Sequence, residues 1–321
     1  MNRDIVYISD FFLEHVLGGG ELNDDELLKI LNDKNHKIIK IRSNIVTINV
    51  LKQQQDSFFI ISNFINLNDE CKQYLSDNLD YIIYEHDHKY VSNRNPALFR
   101  NFEVPNKEIV NYFFYKNARS VFCQSTFHKN IAFKNLGLKN IYNVSGNLWS
   151  LDTLETIRTL AKNKKAKICS IMNSGIEHKN TSGAIQYAGK NNIKYTLIQS
   201  QNYHEFLSKL SKNDTFLFLP KTPETLSRVL VEARMLGCKI LTNNLVGASI
   251  EPWFEKKDEE LIEYMISKRD DVYLKIKELS ESRRGSKNKP LVSIITTFHQ
   301  GEKFLNHFMN NVTSQTYFDK C

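Results

Sequence analysis

Between Asp4 and Thr242, short β-prone apolar runs alternate with longer amphipathic stretches, and nothing else in the chain restricts its fold as strongly. Runs such as Ile5-Val-Tyr-Ile and Phe58-Phe-Ile-Ile are apolar at every position, as strands of a parallel sheet are when helices cover both faces. The alternation predicts two α/β series. In the first, strands are expected at 4–9, 37–41, 57–61, 81–84, 120–123 and 141–144, with helices at 22–31, 107–116 and 127–136. In the second, strands are expected at 166–171, 194–198, 215–219 and 239–242, with helices at 182–190, 203–210 and 226–236 and a charged helix from 258 to about 280. The reading divides the chain into domains at 1–150 and 151–280, which suits 321 residues at ~150 per domain. The basic, polar stretch at 281–290 reads as a linker, and the β-prone run at 291–297 with the helical pattern after it, within 291–321, as the start of a third domain left incomplete.

Composition removes several classes of function. At 41% hydrophobic and 25% charged residues, the chain is neither disordered nor fibrous. Its longest apolar runs fall far short of the ~18 residues a membrane span needs, and no basic segment followed by an apolar one opens the chain. A cytoplasmic protein is expected, with contact at the inner face of the membrane left open. The excess of 43 Lys and Arg over 36 Asp and Glu favours an anionic ligand: nucleic acid, a phosphorylated substrate or a lipid headgroup. Nucleic acid ranks last, because the excess is spread along the chain and no nucleic-acid motif accompanies it. Five widely spaced cysteines without C-x-x-C spacing read as reduced core residues.

Four segments carry candidate chemistry. Gly18-Gly19-Gly20-Glu21 stands after the first strand where a helix begins, a place where backbone N–H groups can approach a phosphate; a flexible turn explains it equally well. It fits neither the dinucleotide fingerprint nor a P-loop. Glu224 and Glu232, seven intervening residues apart, are expected on one helix, the first at its start and the second two turns on, both within reach of one ligand such as a sugar diol. A solvated helix face is the plain alternative. Lys179, in the loop Asn173-Ser-Gly-Ile-Glu-His-Lys-Asn180 after a strand, is placed to meet a diphosphate, although most lysines in so lysine-rich a chain are surface residues. Tyr84-Glu85-His86-Asp87-His88 also follows a strand. Alternate residues of extended chain face opposite ways, so His86 and His88 make a poor metal pair; a cleft histidine bonding a polar substrate is the better reading, with a structural loop histidine as the plain alternative. Arg94 and Arg100 downstream could meet an anionic acceptor, although a solvated surface arginine is the plainer reading of each.

Together these features resemble the retaining, GT-B-fold glycosyltransferases of family 4 over residues 4–270. The most specific part is the E-x7-E signature, matched by Glu224 and Glu232 and followed by Ala233, Gly237 and the 247–251 segment. Gly19 to Glu21 match the family's amino-terminal glycine loop, His86 its histidine after a middle strand, and Lys179 the lysine of its Gly-Arg-x4-Lys, where Ser174 replaces the arginine. Thr225 and Leu226 stand in place of the family's Gly-Phe. Residues 290–317 are similar to the opening of a family 2, GT-A-type glycosyltransferase. The resemblance implies two Rossmann-like domains facing across a cleft and a nucleotide-diphosphate sugar as donor, with no further cofactor and no metal. It implies transfer to a glycan, lipid-linked or other hydroxyl acceptor, in glycan biosynthesis. Glu224, Lys179 and His86 would serve the reaction. Gly19, Gly20, Glu232, Ser174, Thr225 and Leu226 would bind the donor, with Glu232 on the ribose. Glu21, Asp87 and Arg94 would face the acceptor. A non-catalytic nucleotide-sugar-binding module and a GT-B-fold sugar-nucleotide epimerase are the alternatives.

Overall fold

A computed structural model describes residues 3–282, which form two parallel sheets with helices packed against them. The first half runs β1 (Ile5–Ser9), α1 (Gly19–Asp33), β2 (Ile38–Arg42), α2 (Ile48–Gln53), β3 (Phe58–Ile61), α3 (Asp69–Asn78), β4 (Tyr81–Tyr84), α4 (Tyr112–Asn117), β5 (Val121–Cys123), α5 (Thr126–Leu136) and β6 (Ile141–Asn143). Its strands lie in the order β2-β1-β3-β4-β5-β6. The second half runs α6 (Leu151–Ala161), β7 (Ala166–Met172), α7 (Thr181–Lys190), β8 (Tyr195–Ile198), α8 (Tyr203–Ser211), β9 (Asn213–Phe218), α9 (Arg228–Met235), β10 (Lys239–Thr242) and α10 (Asp258–Glu281). Its order is β10-β9-β7-β8. The linker expected at 281–290 lies outside the described residues after its first two positions, and the expected third βα unit lies wholly outside them.

The strand residues account for the layering. Along β1 and β3, Val6, Ile8, Phe59 and Ile61 enter one core with Phe64, Phe114 and Tyr115, while Ile5, Tyr7, Phe58 and Ile60 enter the opposite core with Leu27 and Leu31 of α1. Every one of these strand residues is fully buried, which is why the runs carry no polar alternation. Side-chain oxygens of Asn68, Ser125, Ser150 and Asn202 accept backbone N–H bonds at the starts of α3, α5, α6 and α8. Gly237, at φ +81°, ends α9 in a conformation that suits glycine.

Helices α2, α3 and α6 had no counterpart in the sequence reading, and two further features depart from it. The helix expected at 107–116 begins only at Tyr112, because an antiparallel bridge between Val91 and Ile109 holds the preceding chain extended. The charged final helix does not belong to the second half alone. Leu261, Ile262 and Met265 pack in the core of the second sheet, whereas Val272, Tyr273 and Ile276 pack with β1, β3 and α1 in the first. At 24 residues it is about 36 Å long, enough to return the chain to the half it left at Leu148, whose side chain lies in the first core while Trp149 lies in the second.

Candidate active site

Open α/β sheets bind ligands outside the carboxyl ends of their strands, where the strand order reverses. In the second sheet that point lies between β7 and β9. Lys179 comes from the loop after β7 and Glu224 from the loop after β9, and the ammonium donates to both carboxylate oxygens, at 2.8 and 3.0 Å. Glu224 is not at a helix start as expected. Its backbone forms a parallel bridge with Val246, giving its N–H to Leu245 and accepting from Gly247, each at 2.8 Å. The helix waits until Arg228 because Ser227 turns into the left-handed region at φ +70°.

The first sheet contributes the facing wall. Gly19 and Gly20 form the first turn of α1, which no side chain caps, so their N–H groups remain unpaired within the helix. They do not follow the first strand directly; residues 10–18 intervene. A Cβ at Gly20 would lie 3.4 Å from the ring of His86, in ordinary van der Waals contact, so the start of the helix packs directly against that ring. His86 follows β4 and stacks on Tyr84, with ring centroids 5.2 Å apart. Its Nε2 stands 2.7 Å from Asp24 Oδ1, which makes that nitrogen the protonated one, and Nδ1 accepts from the Gln124 amide at 2.9 Å. The Thr225 hydroxyl lies 2.7 Å from Gln124 Oε1 and 2.9 Å from the His86 carbonyl. Asp24, His86, Gln124 and Thr225 thus form one continuous polar chain from the first half to the second.

Two cavities meet along this chain. The smaller, of about 330 Å³, is lined by Gly19, Gly20, Lys179, Ser227 and Arg228, among others. The larger, of about 460 Å³, is bordered by Asp87, His88, Asn93, Arg94, Asn95 and His178. His86, Glu224 and Thr225 border both. In the smaller one the Ser227 hydroxyl and Arg228 Nε are buried without hydrogen-bond partners, an unusual condition for polar groups. The ionised groups of the larger one are paired within its wall: Asp87 takes Lys89 at 2.8 Å and Arg94 at 3.2 Å, and Lys89 also reaches the buried Glu85, which accepts from the Tyr115 hydroxyl. Burial pushes the Asp87 carboxyl up, but Lys89 and Arg94 outweigh it and hold it well below the usual carboxylate range. Glu85 is raised by its burial. His88, buried between Tyr90 and His128, is lowered to about 4 and so is neutral near pH 7.

Four of the predicted residues stand away from the cavities. Glu232 is 3% exposed, and its Oε1 accepts from the Trp149 indole N–H at 2.9 Å and from the Tyr203 hydroxyl at 2.5 Å; burial raises its pKa. Leu226 is a core side chain packed behind the site. Ser174 closes its own loop, accepting from the Ile176 N–H at 3.2 Å while its N–H donates to Thr181 at 3.1 Å. Glu21 leans along α1 toward Gly18 and borders neither cavity. Among the described residues no three His, Cys, Asp or Glu side chains gather as a metal set. Sequence reasoning passed over Arg228, Ser227, Gln124 and Asp24. Arg228 was visible as a lone cation between the two glutamates, but the other three carry no signal until the loops come together.

No protein-family model matches the chain, and no curated protein matches it. Among solved structures, the catalytic domain of starch synthase IV from Arabidopsis thaliana, bound to ADP and acarbose, superposes with a TM-score of 0.52 at 10% identity, over 98% of this chain and all of that one. The fold is GT-B. HepE from Anabaena in complex with UDP-glucose matches with a TM-score of 0.46 at 11% identity, over 87% of this chain and 92% of its own. An α-glucosyltransferase in complex with UDP and a 13-mer DNA matches with a TM-score of 0.46 at 12% identity, over 87% and 94%. At these identities the likeness speaks of architecture, and the cleft of this GT-B chain has its own side chains to explain.

Proposed function

We propose that the chain is a glycosyltransferase that moves a sugar from a nucleotide-diphosphate sugar to a hydroxyl acceptor with retention and without a divalent ion. The observation that carries the reading is the convergence on one cavity of Lys179, Arg228, the start of α9 at Ser227 and the uncapped start of α1. Helix amino termini and fixed cations favour an anion, and a diphosphate needs several such groups.

Transfer breaks the bond from the sugar's anomeric carbon to the diphosphate oxygen as the acceptor oxygen bonds to that carbon. The sugar becomes oxocarbenium-like and the leaving oxygen gains negative charge, so donors already fixed at the phosphates favour the transition state over the bound donor. Lys179, held by Glu224, is in place before the donor arrives, and Glu224 faces both cavities, where its carboxylate can accept sugar hydroxyls. Both ring nitrogens of His86 are engaged by Asp24 and Gln124, so the ring serves as a fixed wall rather than a base. The acceptor proton then passes to the departing diphosphate oxygen on the same face of the sugar. The larger cavity suits the acceptor. Its charges are paired by their neighbours, leaving amides and the neutral His88 imidazole, which suits an uncharged polyhydroxyl group better than an acyl chain or a polyphosphate.

The test is thermal unfolding of the full chain with UDP-, ADP- and GDP-sugars, followed by nucleoside diphosphate release in the presence of neutral saccharides. One donor should raise Tm, since a ligand at 100 times its Kd stabilises by ~2.7 kcal/mol. Lys179→Met should bind that donor with turnover reduced by about tenfold or more, as expected for a lost charged contact worth ~1.5–3 kcal/mol. No Tm shift with any donor at millimolar concentration would refute the reading, and binding without turnover would mark a nucleotide-sugar-binding module.

A further inference from the structure

The second glutamate of the pair is the residue whose surroundings least fit the role its spacing suggests. Glu232 sits inside α9 with its carboxylate turned to Trp149, from the segment just before α6, and to Tyr203, the first residue of α8. Neither cavity reaches it. One helical turn earlier is Arg228, which does border the smaller cavity. Four contacts fix that guanidinium. Its Nε lies 3.4 Å from Glu232 Oε1, its plane lies over the Trp149 ring at 4.3 Å from the centroid, and NH1 donates to the Leu148 carbonyl at 2.5 Å and Asn147 Oδ1 at 3.3 Å. Trp149 therefore touches both members of the pair, bonding the carboxylate with its indole N–H and supporting the cation with its face.

This arrangement has a direct consequence for charge. Lys179, the other cation of the cavity, is already matched by both oxygens of Glu224. Arg228 faces its carboxylate from one side only, at a distance longer than a charge-assisted hydrogen bond, and its buried Nε has no hydrogen-bond partner. A long side chain with several rotamers, set beside a cavity, needs such an anchor if it is to wait in one position.

We infer that Glu232 is a positioning residue: it holds the Arg228 guanidinium at the wall of the smaller cavity as a cation for the donor's diphosphate, and it does not read the ribose. The inference rests on the donor reading above, and the experiment separates the two. Affinities are measured by calorimetry for whichever of UDP, ADP and GDP stabilises the parent most, for its monophosphate, and for its 2′,3′-dideoxy diphosphate. The parent is compared with Glu232→Gln, which keeps the shape and an accepting oxygen but loses the charge, and with Arg228→Lys and Arg228→Gln.

Glu232→Gln should weaken the diphosphate about tenfold, the size expected of a charged contact, and the monophosphate less than twofold. The preference for ribose over dideoxyribose should stay as in the parent. Arg228→Gln should reproduce that pattern, and Arg228→Lys should recover part of the loss. A purely structural role would lower Tm without separating diphosphate from monophosphate. If Glu232→Gln weakens both nucleotides alike and erases the preference for ribose, or changes no affinity, the positioning role is overturned while the donor reading stands. Should Glu232→Gln not fold, Arg228→Gln decides on the same comparison, equal losses for both nucleotides overturning the inference. If the parent binds no nucleoside diphosphate, the donor reading itself falls.

Discussion

Acid should destabilise this protein through His88, by an amount that follows from how the ring is held. Its Nδ1 lies 2.8 Å from the Tyr90 hydroxyl, its Nε2 finds no partner, and the His128 ring packs edge-on with centroids 5.0 Å apart. Burial moves the pKa from 6.5 to about 4. The folded value lies below the unfolded one, so the native state binds fewer protons over that interval. The stabilisation is complete above the unfolded pKa and is lost as pH falls toward the folded one. These two values give a loss of ~2 kcal/mol between pH 7.5 and 5, and ~3 kcal/mol by pH 4. Glu85 and Glu232, raised by burial, act with the opposite sign, favouring the folded state as they protonate, so the raw pH curve mixes contributions. His128, lowered by its own burial and by the adjoining His88, acts with the same sign as His88, and His88→Asn removes one of the two rings. Urea unfolding at pH 7.5, 6.5, 5.5 and 5.0 should show the parent losing about 2 kcal/mol more than the variant over the range. Parallel curves would mean that the ring is protonated in the folded state or reached by water, and the reasoning from burial would be wrong. On the proposed reading the same neutrality matters for function, because an uncharged imidazole in the larger cavity pairs with a hydroxyl rather than attracting an anion.

Two further substitutions probe how the halves are joined. At Gly247 a side chain would run into the Thr225 carbonyl and the Ser125 hydroxyl, so Gly247→Ala should lower stability by ~1–3 kcal/mol and weaken donor binding as Thr225 is displaced; an unchanged Tm would show that the two loops are free to part. Asp24→Asn removes the carboxylate that fixes the His86 ring, a contact worth ~1.5–3 kcal/mol, so turnover should fall about tenfold with donor affinity retained. Loss of affinity and turnover together would place Asp24 in the donor pocket instead.

The strands and most of the helices were legible because their information is local. Tyr81–Tyr84 and Lys239–Thr242 match the sequence reading residue for residue, since a short apolar run bounded by polar chain can do little else in an α/β protein. The reading missed α2, α3 and α6 altogether, and it misplaced the starts of two other helices. Pairing of Val91 with Ile109 delays α4, and the left-handed turn at Ser227 delays α9 and leaves Glu224 on a loop.

The candidate site divides in the same way. Lys179, Glu224, His86 and the two glycines could be named from their positions after strands and at a helix start, because the carboxyl edge of a parallel sheet is where such residues gather. The fate of Glu232 could not. Spacing of seven puts two carboxylates on one side of an ideal helix, but whether the second faces a ligand or the interior depends on Trp149 and Tyr203, which lie 83 and 29 residues away in the chain. Residue pattern over a few turns is enough to set the two sheets, their order along the chain and the loops that hold reactive groups. Which of those groups face the cleft, how His86 is tied through Gln124 to Thr225, and the return of α10 to the first half emerge on folding, because each depends on contacts between segments far apart in the chain.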